Sequence, residues 1–370
     1  MKLGIWTPLP HAIPPEPRLD AAIRQAEAPA VAPYSDEAFA FARDVALAAE
    51  RQGFDITLIA ERLLGPDLEA WILGTALAAV AERIHVMVAV HPGLWTPQIV
   101  AKMGASLDRL SGGRFHLNVV PGWWEAEHRM FGGAWTTDSE DRYGRMLEFL
   151  QVIKGLWTHE RFSFQGQHFQ LDEATVLPRP VQQPYPPIYA ASRSEGGMEV
   201  IARECDWWFL PHGAGYRDVE ATRQLFLDAR TGMDARAARY GRTLRYGVSV
   251  HVICRRTREE ALAAAERLEE HGKTNRIAMI AALALGAGLV GTYEEVAERM
   301  LAYHALGVEL FLIHFSPMLD ELDRFGSEVV PRLQAALGRD LAAEPAGVGS
   351  GARRQAVSYP PATTRRRGEA

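Results

Sequence analysis

The chain has 370 residues, 40 basic against 46 acidic side chains and a net charge of −6, with a pI near 6.1. Such a balance offers no basic face for nucleic acid. A composition of 48% apolar and 23% charged residues is that of a globular protein with a large core. Cys205 and Cys254 make neither a disulfide framework nor a zinc site, and no apolar run reaches the roughly 18 residues needed to span a bilayer. With nothing at the amino terminus resembling a signal peptide, the expectation is a cytoplasmic protein with no membrane and no nucleic-acid partner.

Strand-like apolar runs alternate with amphipathic helical runs from end to end, as in a parallel sheet with helical crossovers. The first predicted strand, 3–7, leads into a Pro/Ala-rich stretch, 9–35, read as an inserted loop. Helices at 36–52, 68–81 and 97–110 alternate with strands at 56–60, 84–90 and 114–120. A long helix at 139–157 precedes an alternating stretch, 162–170, with the pattern of a hairpin. The second half adds strands at 187–191, 207–210, 247–254 and 310–314, and helices at 196–204, 218–240, 258–271, 294–306 and 319–337. A second insert, 272–292, interrupts the unit after the seventh strand, and 338–370 reads as a disordered, low-complexity tail.

Eight βα units predict a (β/α)8 TIM barrel, a single domain over residues 1–337 with its inserts at the C-terminal face. An open doubly wound sheet is the alternative. It wants a glycine-rich phosphate loop after its first strand, and residues 8–15 are a stiff proline segment instead.

The most informative run is Asn118-Val119-Val120-Pro121-Gly122-Trp123-Trp124, directly behind Ser111-Gly112-Gly113-Arg114. It reads as a glycine turn, a buried strand, and an amide and aromatic cluster at the strand's carboxyl end. A buried amide needs a partner, and at that end of a barrel strand a ligand supplies one; an Asn that caps the next turn is the alternative. Other predicted strand ends carry His11, Glu61, Arg62, His91, Trp123, Glu127, His212, His251, His314 and Ser316. No His-x-His pair marks the first strand and no Asp closes the eighth, so a metal is not expected.

Residues 190–197, Ala-Ala-Ser-Arg-Ser-Glu-Gly-Gly, follow a strand and open a helix. Ser192 and Ser194 with a helix amino terminus make a phosphate cradle or an ordinary helix cap. Arg142 and Tyr143 start the fourth helix and offer a second anchor. Strand alternation turns Ser249 and His251 inward and leaves Val248, Val250 and Val252 against the helices. His251 is then a candidate proton-managing group, with a ring that titrates near neutrality unless shifted.

These motifs in order, together with Trp95-Thr96-Pro97, Leu107-Asp108-Arg109-Leu110-Ser111-Gly112-Gly113-Arg114 and Gln182-Gln183-Pro184-Tyr185-Pro186-Pro187, resemble the bacterial luciferase-like flavin monooxygenases. The similarity is greatest to the dimethyl sulfone, alkanesulfonate and pyrimidine enzymes. The resemblance implies a TIM barrel, dimeric or tetrameric, that uses reduced FMN (FMNH2) from a separate NAD(P)H:FMN reductase, with O2 as co-substrate. By position it implies flavin contacts at Glu61, Arg62, Asn118, Glu127, Arg142 and Tyr143, with the phosphate at Ser192 and Ser194. It also implies active-site histidines at His251 and His11, and a substrate pocket near Trp6, His91, Trp123, Ser249 and Ser316.

Ser249 and Ser316 depart from the alkanesulfonate pattern, which has an arginine and a tyrosine there. The loss of that arginine, and of a lid arginine that has no clear equivalent here, favours a neutral or less charged small molecule such as a sulfone or a heterocycle over a sulfonate anion. The expected reaction is oxygenation with C–S bond cleavage of an organosulfur compound. Alternatives are a heterocycle monooxygenase, a deazaflavin-dependent oxidoreductase that needs no O2, and a non-catalytic flavin-binding barrel.

Overall fold

The computed structural model describes residues 1–10, 16–30, 35–122, 124–274, 283–338 and 341. Eight strands form one closed parallel barrel: β1 (Lys2–Trp6), β2 (Ile56–Ile59), β3 (His85–Val90), β4 (Phe115–Val119), β5 (Ile188–Ala190), β6 (Trp207–Phe209), β7 (Arg245–His251) and β8 (Val308–His314). Around the barrel they run β1-β8-β7-β6-β5-β4-β3-β2, so every neighbour in space is a neighbour in sequence and β8 closes on β1.

Short parallel strands of this kind need both faces covered, and the two faces are filled differently. Outward side chains such as Val86, Val88, Leu117, Val248, Val250 and Ile313 pack with the helices in the large core. Inward ones form a separate cluster of Ile56, Leu58, Met87, Tyr189, Trp207, Phe209, Leu310 and Leu312. The Tyr189 and Trp207 rings stack at 5.0 Å within it. Large inward side chains fill the middle of the barrel, so any site must lie at an end.

The Asp108-Arg109-Leu110-Ser111-Gly112-Gly113-Arg114 motif builds the N-terminal edge of the barrel. Gly112 and Gly113 take φ values of +67° and +90°, which a side chain would strain. The buried Asp108 carboxylate accepts from the Val181 and Gln182 amides at 2.7 and 2.9 Å and from Gln182 Nε2 at 2.6 Å. Arg114 donates to the carbonyls of Ser111, Ile84 and Ala78 at 2.8 to 2.9 Å. These bonds tie the starts of β3, β4 and β5 together.

Four features differ from the expectation. The stretch read as a loop over 9–35 contains a helix, Pro17–Glu27, whose first-turn proline is tolerated because its missing N–H is unused there. A short helix, Glu125–Met130, follows the β4 turn. The strand expected over 247–254 breaks at Val252, whose amide bonds to His314 O at 3.3 Å. Ile253–Arg255 then leaves the barrel and pairs in parallel with Val290–Thr292, which lies inside the second insert. The final helix is two, Met318–Glu328 and Val330–Leu337.

The hairpin is present as Phe162–Gln165 against Gln170–Ala174. Leu341 is buried in the core, within the stretch expected to be a tail. The rest of 339–370 lies outside the described residues, as does 275–282 of the second insert. No helix among the described residues is long and apolar enough to cross a membrane.

Candidate functional site

Three groups of side chains meet at the C-terminal end of the barrel. The first stands beyond β2, β3 and β4. Glu61 is 3% exposed, Asn118 7% and His91 2%. Neither Glu61 carboxyl oxygen, nor Asn118 Oδ1, nor His91 Nε2 completes a hydrogen bond among the described residues. Burial raises Glu61 to about 8, Glu69 and Glu127 add to the rise, and only the Trp95 indole opposes it.

His91 Nδ1 donates to Val120 O, 3.0 Å away. Burial holds its ring below the usual imidazole range, against the smaller pull of that carbonyl and Glu127. Gly122, at φ +93°, lets the β4 turn pass over the His128 ring, where a Cβ would lie 2.8 Å from Cε1. That contact is why the turn after Asn118 carries a glycine.

Glu127 and Arg62 form a latch beside this group. Glu127 Oε1 accepts from the Leu63 and Leu64 amides at 3.0 and 3.1 Å and lies 3.5 Å from Arg62 Nη1. The Arg62 guanidinium stacks on Trp124, 3.6 Å from the ring centroid. The Glu127 Oε1 oxygen is therefore engaged with the loop after β2, beside Glu61. The sequence pointed to a flavin contact; it carried no sign of the loop bonds, whose partners are more than 60 residues apart.

The second group is a wall of flat rings on β1, β8 and β7. Trp6 stacks on His314 at 4.5 Å and 18°, and His314 lies parallel to His251 at 6.3 Å and 7°. Trp6 Nε1 donates to Ser249 Oγ at 3.1 Å, which confirms the inward turn of Ser249 and His251. His251 is buried with no partner on either ring nitrogen among the described residues.

Burial drives His251 down to about 3, which corrects the expectation of titration near neutrality: the ring is neutral in this pocket. Desolvation also holds His314 well below its ordinary value, helped by His251 and His212. His212 is lowered by burial and by Arg193. Ser316 follows β8 by two residues and is half-buried. His11 and Trp123 lie outside the described residues.

The third group is a hydroxyl cluster after β5. Ser194 Oγ donates to Tyr143 Oη at 2.6 Å, Ser192 Oγ lies 3.1 Å from Ser194 Oγ, and Tyr143 Oη lies 3.4 Å from Ser192 Oγ. Ser194 is also the N-cap of the helix Glu195–Glu204, accepting from the Gly197 amide at 3.3 Å. Gly197 is required by proximity, since a Cβ there would lie 2.1 Å from Ser192 Oγ.

Burial disfavours the Tyr143 phenolate, but the Ser192 and Ser194 hydroxyls and the Arg142 charge together outweigh it and lower the phenol. Arg142 Nε is buried without a hydrogen-bond partner. Trp208 Nε1 donates to Ser192 O at 3.2 Å and fixes the turn, a support that the sequence did not single out. Among the described residues no group of three or more His, Cys, Asp or Glu side chains is placed to hold a metal ion.

Comparison with known proteins agrees with this arrangement. Residues 17–310 match the luciferase-like monooxygenase family model. Over 322 residues the chain is 31% identical to an FMNH2-dependent dimethylsulfone monooxygenase of Pseudomonas putida, covering 78% of this chain and 86% of that protein. In fold it resembles a long-chain alkane monooxygenase, with a TM-score of 0.71 at 20% identity over 92% of each chain. It also resembles DmoA from Hyphomicrobium sulfonivorans, with a TM-score of 0.69 at 18% identity over 91% of this chain and 88% of that one. A barrel closed in sequence order, an orphaned amide at the end of β4 and a serine-capped helix after β5 thus coincide with a match over most of the chain, and this protein belongs to the luciferase-like monooxygenase family.

Proposed function

We propose that this protein oxygenates a small uncharged organosulfur compound, a sulfone, with reduced FMN supplied by a separate NAD(P)H:FMN reductase and with O2 as co-substrate. The residues fit a phosphorylated flavin. The Ser192, Ser194 and Tyr143 hydroxyls, the amides at the start of Glu195–Glu204 and the orphaned Arg142 Nε are donors gathered at one place, as a phosphate requires. Asn118 Oδ1, buried and unpaired, suits an N–H of the ring system. When bound, the reduced flavin supplies the electrons that activate O2.

The observation that carries the substrate class is the neutral state of the ring wall. His251 and His314 are held uncharged by burial, and Ser249 bonds to Trp6 beside them. A neutral imidazole offers one N–H donor and one lone pair, which suits a sulfone oxygen. A sulfonate anion asks for guanidinium groups instead. The Pseudomonas putida relative is described as acting on dimethylsulfone, in accord with this reading.

The protein's share of the chemistry is to hold the sulfone against the ring wall, to exclude water and to move a proton at a His251 ring nitrogen. Oxygenation at a methyl carbon followed by C–S cleavage gives a sulfinate and an aldehyde. One O2 atom ends in the aldehyde and the other in water, and the two electrons come from the reduced flavin. Incubation with a generic flavin reductase, NADH and FMN in air should yield methanesulfinate and formaldehyde from dimethylsulfone and little sulfite from methanesulfonate. A preference for the sulfonate would overturn the substrate class.

A further inference from the structure

We propose that Glu61 is kept as a neutral carboxylic acid and donates a hydrogen bond to an uncharged oxo acceptor of the ligand at the barrel mouth, a flavin carbonyl or a sulfone oxygen. The inference rests on the flavin and sulfone reading above and goes beyond it by giving Glu61 a protonation state and a direction of bonding.

The argument begins with what surrounds the carboxyl group. Glu61 is 3% exposed, and neither oxygen completes a hydrogen bond among the described residues, the Trp95 indole being the donor that leans toward it. Its charged neighbours are acids, Glu69 from the residue before the helix Ala70–Val80 and Glu127 from the helix Glu125–Met130. Arg62 adjoins it in sequence, but that guanidinium is stacked on Trp124 and faces Glu127 and Asp67. From β3, His91 lies against the Glu61 backbone carbonyl, and burial keeps both His91 and His128 toward the neutral form. No cation is therefore directed at this carboxyl group among the described residues.

An ionised carboxylate in such a place loses its hydration and gains no opposite charge, and the nearby Trp95 indole offsets only part of that loss. The neutral acid avoids that penalty and carries an O–H. Its displacement to about 8 agrees with this placement. An O–H with no acceptor among the described residues takes one from a ligand. Glu69 and Glu127 make an anionic acceptor unfavourable, which leaves a neutral oxo group.

The test measures FMN affinity of the wild type and of Glu61→Gln, and dimethylsulfone affinity of both FMN-loaded proteins, from about pH 7 to about pH 9. In the wild type one of these affinities should fall about tenfold per pH unit above the Glu61 value, and the ligand whose affinity falls is the acceptor. Glu61→Gln, an amide donor that does not titrate, should give a flat profile for the same ligand. Flat wild-type profiles for both ligands, or a parallel fall in Glu61→Gln, would overturn the inference while leaving flavin binding intact.

Failure of the wild type to bind FMN at any pH would sink the flavin reading and the ligand named here. Infrared difference spectra decide the protonation state independently of ligand. A carboxylic-acid carbonyl band should be present at neutral pH, vanish as the pH rises past about 8 and be missing in Glu61→Gln. Its absence from the wild type at neutral pH would contradict the proposal whatever the variant's stability.

Discussion

At the N-terminal end of the barrel His116 has a partner on each ring nitrogen, His85 at 2.8 Å and Tyr189 at 3.1 Å; at the C-terminal end His251 is as deeply buried and has a partner on neither. The two side chains sit inside the same cylinder, yet only one is completed by the protein. A buried polar group left unpaired costs about 1–3 kcal/mol, so a fold keeps one where something else completes it. The contrast separates a histidine that the barrel itself completes from one that, in the function proposed above, a ligand completes, which residue type alone does not do.

The comparison breaks most visibly at His251. In His251→Leu, turnover of the sulfone should fall by about 100-fold or more, while the melting temperature stays level or rises because an unpaired imidazole has been removed. A clear loss of stability would make His251 a structural residue. The acid limb provides a second check. His251 has a folded value of about 3 against 6.5 ordinarily, so its contribution to stability is complete above about 6.5 and is lost as the pH falls toward 3. The variant should lack that part of the acid sensitivity.

His116→Leu should do the reverse. It leaves Tyr189 and His85 short of a buried partner and should cost about 2–3 kcal/mol in denaturant unfolding, with FMN affinity nearly unchanged; a stability equal to the wild type would erase the distinction between the two ends. The smallest effect is expected at the hydroxyl cluster. Tyr143→Phe removes one donor among several and should weaken FMN by about 1 kcal/mol, roughly fivefold, in a fluorescence titration. An unaltered titration would mean that the cluster serves only as a helix cap.

Most of the architecture was legible because it rests on local pattern. Apolar runs bounded by turns located all eight strands, and the Gly-Gly pair before β4, legible as a glycine turn, takes positive φ at both residues. The helix Pro17–Glu27 was hidden by the prolines around it, although Leu19 and Ala22 bury its apolar stripe. The end of β7 was hidden for the opposite reason. Val250, Val252 and Ile253 read as one continuous strand, and the break follows from bonds to His314 and Leu289 far along the chain.

At the site, the identities of Glu61, Asn118 and His251 could be read from strand ends, but their states could not. The neutrality of His251 and the rise of Glu61 come from desolvation by residues distant in sequence. Glu127 shows the same limit, since its bonds to the Leu63 and Leu64 amides exist only once β4 has brought the two loops together.

The strand order has a consequence for how this enzyme can diversify. The ring wall comes from β7, β8 and β1, which are contiguous around the barrel, while the hydroxyl cluster follows β5 and the orphaned amide ends β4 on another arc. Changes at positions 6, 249, 314 and 316 can alter the charge and width of one arc without disturbing the other. If the hydroxyl cluster holds the flavin phosphate as proposed, laboratory evolution toward a new substrate is expected to accumulate its substitutions on that arc, with the other arc serving as an unchanged platform.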